Sequence, residues 1–108
     1  MTENTFRVML RAEIKQGLET EFEQAWLAIG TGVTGHPANL GQWLYRSESE
    51  ERVYYIVSDW VDEPSFREFE RGDQHVEHRM KLHPYRSGGS MTIMRTVHSL
   101  VGGQAVAR

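Results

Sequence analysis

The sequence predicts an α+β fold with a four-stranded antiparallel sheet and two helices on one face, in the ferredoxin-like split βαβ order βαββαβ. Three observations support this fold class. Apolar and polar residues alternate in four segments, apolar residues recur every three or four positions in two others, and the segments follow one another as strand, helix, strand, strand, helix, strand. At 108 residues, the chain has room for one domain, residues 1–108, with one core.

The first half of the chain predicts a strand, a helix and a long loop. Side chains alternate between apolar and polar from Thr5 to Lys15, which is typical of a half-buried strand. Apolar residues then recur at helical spacing from Leu18, and this amphipathic helix is expected to end near Gly30. The glycine-rich stretch from Gly30 to Gly41 predicts a loop of about ten residues, long enough to line a site.

Strands two and three form a predicted hairpin. The segments Gln42–Ser47 and Val53–Val61 are rich in aromatic and β-branched residues and flank a polar turn. In the second of these strands, Tyr54 shares a face with Trp60, while Tyr55 points to the opposite face. We therefore expect Tyr54 and Trp60 to face the helices and Tyr55 to face away from them.

The last third of the chain predicts the second helix and the fourth strand. Asp62-Glu63-Pro64 supplies an N-cap and a proline for the first turn, Gly72–Asp73 can kink the helix, and His83-Pro84 must end it. A loop, Tyr85–Ser90, then leads to a strand over Met91–Leu100. The small, weakly apolar tail, Val101–Arg108, is expected to be peripheral.

Charge and composition argue against several classes of protein. The chain has 12 Lys and Arg against 15 Asp and Glu, a net charge of −3, without the basic cluster expected of a nucleic-acid binder. Its glycines do not have the spacing of a nucleotide-binding loop. No apolar segment predicts secretion or a membrane span, so we expect a cytoplasmic protein. Without cysteine, it has neither disulfides nor thiolate ligands for a metal.

A sheet with helices on one face leaves its other face uncovered. A short chain without disulfides gains stability when a second copy covers such a face. We therefore expect a homodimer that forms through the bare side of the sheet.

Several segments resemble the antibiotic biosynthesis monooxygenase family of dimeric α+β barrels. They are Ile56–Phe69, which carries a tryptophan at the end of strand three and an acidic turn, then His75-Val-Glu-His78 and Leu82-His-Pro-Tyr-Arg86. The resemblance covers nearly the whole chain. Gly35–Trp43 and His83–Met91 are similar to the SchA/CurD-like subgroup, which is associated with bacterial clusters for aromatic polyketides.

The resemblance implies a tailoring monooxygenase that binds a small-molecule aromatic polyketide and uses dioxygen as co-substrate, without a metal or flavin. Such chemistry needs an electron-rich substrate, whose deprotonated form passes an electron to dioxygen while the protein takes up the proton and stabilises the anion. Two alternatives stay open: a polyketide cyclase or aromatase of the same fold, and a non-enzymatic dimer that holds a reactive intermediate. Haem degradation is disfavoured, because the expected helix tryptophan is replaced by Phe69.

The candidate catalytic residues are His75, His78 and Arg86. On a continuous second helix both histidines fall outside the apolar stripe and occupy a solvated edge, whereas a reset at Gly72–Asp73 turns His75 inward, as the resemblance implies. A metal site at the two histidines lacks the further ligands that would complete a shell. Arg86 either anchors a phenolate or carboxylate, for which Arg11 is an alternative, or forms a salt bridge at the rim.

The candidate substrate-binding residues are aromatic side chains and two polar loop residues. Each aromatic ring can pack on a flat ligand or belong to the core. The two loop residues can close over the pocket or make local hydrogen bonds in a turn. The set comprises Trp60, Trp43, Tyr54, Phe69, Tyr85, His36 and Asn39.

Overall fold

The structure is a computed structural model that describes residues 5–102, so part of the predicted tail, Val101–Arg108, lies outside the described residues. The strands are β1 (Phe6–Ile14), β2 (Asn39–Arg46), β3 (Val53–Trp60) and β4 (Arg86–Arg95). They form one antiparallel sheet in the order β2-β3-β1-β4. The helices are α1 (Glu19–Thr34), α2 (Glu63–Glu70) and α3 (Asp73–Leu82), followed by a 3-10 turn, His83–Tyr85. The predicted ferredoxin-like α+β fold is confirmed.

The buried core lies between the sheet and the helices in two separate clusters. One cluster, at the end of the sheet where β3 finishes, contains Phe6, Val8, Trp60, Phe66 and Phe69. The other, at the opposite end, contains Ala12, Ile14, Phe22 and Tyr54. Leu10 and its partner Ile56 lie between the clusters and are only partly buried. The helix side of the sheet is therefore incompletely packed in its middle.

Helix α1 is longer than the sequence predicts. It continues past Gly30 to Thr34, so the expected loop of about ten residues is wrong, and four residues, 35–38, connect α1 to β2. Glycine disfavours a helix, but here Gly30 and Gly32 allow side chains of β2 and α3 to pack closely against α1. The Gln42 side chain donates to the Gly30 carbonyl oxygen at 3.0 Å, and the His78 ring lies against Gly32. Tertiary packing thus outweighs the helix propensity of this segment.

The expected kink at Gly72 is a complete break between α2 and α3. Gly72 has an extended backbone, with φ −77° and ψ 154°, and it is the N-cap residue that precedes α3. Because of this break, the apolar stripe of α2 does not continue along α3. Val76 and Met80, which would lie on that stripe in a continuous helix, are exposed. Asp62 caps α2 as expected, since its Oδ1 accepts the Ser65 backbone N–H at 2.9 Å.

Strand β4 begins at Arg86, five residues earlier than the sequence predicts, and ends at Arg95. The expected loop Tyr85–Ser90 is therefore wrong. Gly88 and Gly89 pair with Glu13 and Ala12 of β1. A Cβ at position 89 would lie 2.5 Å from the Arg11 carbonyl oxygen, so glycine permits close approach of two strands here and does not mark a turn.

Candidate functional site

A cavity of about 200 Å³ lies between the sheet and the helices, where the two core clusters leave the middle of the sheet uncovered. Strands β1, β3 and β4 form its floor, and α3 covers it. The residues of the floor and of the aromatic end are Val8, Leu10, Ile56, Ser58, Trp60, Phe66, Phe69 and Met91. The other residues that line the cavity are Val33, Gln42, Glu70, His75, His78, Arg79, Leu82 and Arg86. An apolar cavity with a few polar groups is the usual form of a small-molecule site.

Trp60 forms the aromatic end of the cavity. It ends β3 on the helix side of the sheet, is 1% exposed, and packs against Phe66 and Phe69 with ring centroids 5.4 and 4.9 Å away. Its indole N–H donates to Ser58 Oγ at 3.0 Å. Because this donor is occupied, Trp60 offers an incoming ligand mainly the surface of its ring. Trp60 and Phe69 are two of the predicted binding residues, and each belongs both to the core and to the wall of the cavity.

His75 projects into the aromatic end from the first turn of α3. Its ring contacts Phe69 edge-on, with centroids 5.0 Å apart. Burial lowers its pKa below the ordinary value of 6.5, the charge of Arg79 lowers it further, and Glu70 opposes these effects. His75 is therefore a neutral imidazole near pH 7.

His78 lies three residues further along α3 and contacts α1. A Cβ at Gly32 would lie 2.5 Å from its Cε1 and 2.8 Å from its Nε2, so the ring occupies space that only glycine leaves free. Its Nδ1 is buried without a hydrogen-bond partner among residues 5–102. Burial, followed by the charge of Lys81, lowers the pKa of His78. A neutral imidazole has one unprotonated ring nitrogen, which can accept a proton.

Arg86 supplies positive charge at the other end of the cavity. It is the first residue of β4, it pairs with Ile14, and its Nε is buried without a partner among the described residues. The carboxylate of Glu70, which also lines the cavity, forms an ion pair with Arg67 at 3.0 Å. The cavity thus brings together all three predicted catalytic residues, His75, His78 and Arg86.

Trp43 lies on the other face of the sheet, outside this cavity. It pairs with Val57 on β3, is 41% exposed, and has the Arg7 guanidinium 6.0 Å from its ring centroid. The expectation that it lines the pocket beside the helices is not met. Side chains alternate along a strand, and β2 begins with an irregular register between Asn39 and Gly41, which sets this orientation.

Tyr54 belongs to the second core cluster, Tyr85 packs against that cluster, and neither lines the cavity. Tyr54 faces the helices as predicted, but its hydroxyl donates to Glu23 and its ring lies 5.0 Å from that of Phe22. Burial and Glu23 raise the pKa of Tyr54 to about 12. Tyr85 packs on Phe22 at 6.4 Å. The surroundings of Tyr54 and Tyr85 therefore fit the alternative in which these rings belong to the core and do not pack on a ligand.

His36 and Asn39 make the local hydrogen bonds expected of turn residues. His36 Nδ1 accepts the Ala38 backbone N–H at 3.1 Å, and its ring packs behind Trp60 at 5.7 Å. The Asn39 amide donates to the backbone oxygens of Gly41 and Asp59 at 3.4 and 3.3 Å. His36 therefore supports the aromatic wall from outside, and Asn39 orders the start of β2.

Other cavity residues carry weak sequence signals. Ser58 is a polar residue in the inward-facing series of β3, and Gln42 occupies an inward-facing position of β2. A polar residue among core positions is unusual, and this signal could have identified both. The role of Gly32 depends on contact between α1 and α3, and no local pattern predicts that contact.

A wider depression of about 760 Å³ lies on the outer side of the sheet, lined by Arg7, Trp43, Asp59, residues 94–100 and two others. It is open to solvent, and Asp59 binds Arg7 through both carboxylate oxygens. Within residues 5–102, no three histidine, aspartate or glutamate side chains are grouped to hold a metal ion. The helices of this part of the chain are also too short or too polar to cross a membrane.

The fold and the cavity define a class: small ferredoxin-like α+β proteins with a ligand cavity between the sheet and the helices. The sequence pattern of one family of this class, described as antibiotic biosynthesis monooxygenase, matches residues 5–80. The chain belongs to this family.

Individual relatives are more distant. Protein SchA of Streptomyces halstedii is 27% identical in an alignment 106 positions long, which covers 94% of this chain and 28% of SchA. The chain thus spans little more than a quarter of the length of that relative.

Solved structures have the same fold. SnoaB, a cofactor-independent oxygenase from Streptomyces nogalater, superposes with a TM-score of 0.79 at 16% identity, over 90% of this chain and 97% of SnoaB. A protein from Caulobacter crescentus CB15 has a TM-score of 0.79 at 19% identity, over 90% and 93% of the two chains. At these identities the likeness establishes the fold alone.

Proposed function

We propose that this protein is a cofactor-independent monooxygenase that oxidises a polycyclic aromatic polyketide in the cavity between its sheet and helices. The pair of half-buried, neutral histidines beside the aromatic wall of a family member's cavity carries the proposal. Membership of the antibiotic biosynthesis monooxygenase family and the fold shared with SnoaB, a cofactor-independent oxygenase, support the same reaction class.

His78 is the proposed general base. Its ring lines the cavity, and its Nδ1 has no hydrogen-bond partner among the described residues that would compete for the proton of a substrate. His75 lies closer to the aromatic wall and orients the ring of the substrate through its contact with Phe69. The positive charge of Arg86 favours the anion that deprotonation forms.

The reaction balances with dioxygen as the only oxidant. For an anthrone, His78 removes a proton, and the carbanion passes one electron to dioxygen. The resulting radical and superoxide combine to form a carbon–oxygen bond, and the proton returns to give a hydroperoxide. Loss of water leaves a carbonyl, so one oxygen atom enters the product, and the other leaves as water with two hydrogen atoms of the substrate.

The cavity is smaller than the ~300–1,000 Å³ of most drug-sized sites. It therefore accepts the reacting edge of a polycyclic substrate, while the remaining rings extend through its opening. Leu10 and Ile56 form the flat floor, and Trp60 closes one end. This shape favours fused planar rings over branched aliphatic substrates.

We also propose that the protein is a homodimer formed through the outer side of the sheet. Apolar side chains lie along this side: Met9, Val57 and Trp43 form a paired row in its middle, and Tyr45 and Met94 flank that row. Ion pairs lie at its two ends, Arg7 with Asp59 and Arg11 with Glu13 and Glu50. An apolar centre with a charged rim is characteristic of protein interfaces.

Oxygen consumption tests the proposed reaction. Purified protein treated with a chelator should consume one dioxygen per anthrone, and mass analysis should show a product in which two hydrogen atoms are replaced by one oxygen. Incubation with a polyketide that still carries an uncyclised β-dicarbonyl side chain tests the cyclase alternative, which a product that has only lost water would establish instead. Tight binding of the anthrone without a rate above the buffer reaction would indicate a binding protein and overturn the proposal.

A further inference from the structure

We propose that Ser58 is a further catalytic residue of the cavity, whose hydroxyl group donates a hydrogen bond to the substrate oxygen that becomes negatively charged when His78 removes a proton. The inference rests on the function proposed above, because it assigns another residue to the same reaction. Ser58 keeps its own proton throughout, so the balance of that reaction does not change.

Ser58 lies on a rigid part of the cavity floor, beside the aromatic end. It belongs to β3, an inner strand, and it pairs with Val8 of β1 on one side and with Gln42 of β2 on the other. Its side chain points to the helix side of the sheet, as that of Trp60 does two residues later. A donor whose backbone is held by strands on both sides needs little reorganisation when charge develops in front of it.

The indole of Trp60 determines which way the Ser58 hydroxyl can donate. Trp60 Nε1 donates to Ser58 Oγ at 3.0 Å, and an indole nitrogen can only donate. Ser58 Oγ is therefore the acceptor in this bond, and its own hydrogen must go to a different partner. Because the indole N–H polarises the hydroxyl group, the hydroxyl becomes a stronger donor.

The Ser58 hydrogen has no acceptor within residues 5–102. In the side-chain hydrogen bonds of this part of the chain, Ser58 takes part once, as the acceptor from Trp60. Its polar neighbour on β2, Gln42, donates its amide to the Gly30 carbonyl oxygen of α1 at 3.0 Å. The other lining residues at this end are apolar: Val8, Trp60, Phe66 and Phe69. The hydroxyl is thus available to a ligand in the cavity.

The position of Ser58 suits the anion of an anthrone. Loss of a proton from the ring carbon places negative charge on the carbonyl oxygen, which lies on the far side of the central ring. A base and a hydrogen-bond donor must therefore lie apart, and here His78 is on α3, which covers the cavity, whereas Ser58 is on its floor. The hydrogen bond strengthens as the carbonyl oxygen becomes an anion, so Ser58 should affect kcat more than KM.

Anthrone in the absence of dioxygen provides the test, because its anion then accumulates instead of reacting. The anion absorbs visible light and anthrone does not, so spectra over a pH series give the pH at which half of the bound anthrone is ionised. Ser58→Ala should raise this midpoint by about one pH unit, as expected for the loss of a hydrogen bond to a charged group. With dioxygen present at pH 7, kcat should fall by about tenfold, with little change in KM.

Two further variants support the interpretation of this experiment. Ser58→Thr retains a hydroxyl group, so its midpoint should stay close to that of the wild type. Ser90→Ala is the matched control, because Ser90 is exposed on β4, pairs with Arg11 and does not line the cavity. It should retain the wild-type midpoint and kcat. The same midpoint in Ser58→Ala as in the wild type, a midpoint in Ser58→Thr as high as in Ser58→Ala, or no binding of anthrone would overturn the role of Ser58.

The anaerobic and aerobic measurements separate this inference from the proposed reaction. A raised midpoint in Ser58→Ala, without oxygen uptake by the wild type, would uphold the hydrogen bond from Ser58 and contradict the monooxygenase. Oxygen uptake with the same midpoint and the same kcat in the wild type and in Ser58→Ala would uphold the monooxygenase and contradict the role of Ser58.

Discussion

The unpartnered Nδ1 of His78 is the atom on which the proposed chemistry depends. Replacement of His78 by alanine removes the base but leaves the aromatic wall in place, so we expect kcat to fall by ~10²–10⁴-fold. His83→Ala is a suitable control, since His83 is exposed beyond the end of α3 and outside the cavity. Oxygen uptake under saturating anthrone measures both variants. A His78→Ala enzyme as fast as the His83→Ala enzyme would exclude His78 as the base.

The lowered pKa of His78 determines the expected pH dependence. The neutral imidazole is the active form, so kcat/KM should be constant near pH 7 and fall with decreasing pH, with a midpoint below 6.5. Stability should decrease in the same direction, because the unfolded chain binds this proton more readily than the folded protein does. A pH series of initial rates, with parallel thermal unfolding, checks both effects. A rate that rises as the pH is lowered below 6.5 would contradict this protonation state.

At the scale of elements, the contact between α1 and α3 determines where His78 lies. A Cβ at Gly32 would clash with the His78 ring and with the Gln74 amide, and both side chains can rotate away. Gly32→Ala should therefore lower kcat/KM by at least ~10-fold while changing the melting temperature little, since alanine also favours the helix.

Thr31→Ala is the control for this prediction, because Thr31 is exposed on the same helix. The rate constants and melting temperatures of the two variants should be compared side by side. A Gly32→Ala variant that retains full activity would show that the position of the His78 ring does not depend on α1.

Alternation and helical spacing located the four strands and the helical regions, and they placed Tyr54 and Trp60 on the helix side of the sheet. The errors arose at glycines. Gly30 and Gly32 lie inside α1, and Gly88 and Gly89 lie inside β4, because each allows a close approach between elements. Such approaches depend on distant parts of the chain, so local sequence predicts a turn where the structure continues.

The candidate site was predictable only in part for a related reason. His75, His78 and Arg86 were identified from sequence, and the structure brings them to one cavity. The cavity itself exists because Leu10 and Ile56 lie between two core clusters and no helix side chain fills the space above them. A gap in packing has no signature in the order of residues along one strand.

For the whole molecule, the outer side of the sheet should be an interface. Met94, 37% exposed on β4, is an apolar residue of this side next to Arg7, so Met94→Lys should weaken or abolish the dimer. Leu27→Lys, at a 70% exposed position of α1, should leave the dimer intact. Sedimentation velocity of the wild type and both variants measures the assembly. A monomeric wild type would contradict the proposed interface.

The central claim is that this chain itself transfers an oxygen atom from dioxygen to an aromatic substrate. The most direct measurement is turnover of an anthrone under ¹⁸O₂ by the metal-depleted protein, with mass spectrometry of the product. We expect one ¹⁸O atom per product molecule, formed at a rate that falls in His78→Ala. A product without ¹⁸O, or the same rate in His78→Ala, would contradict the claim.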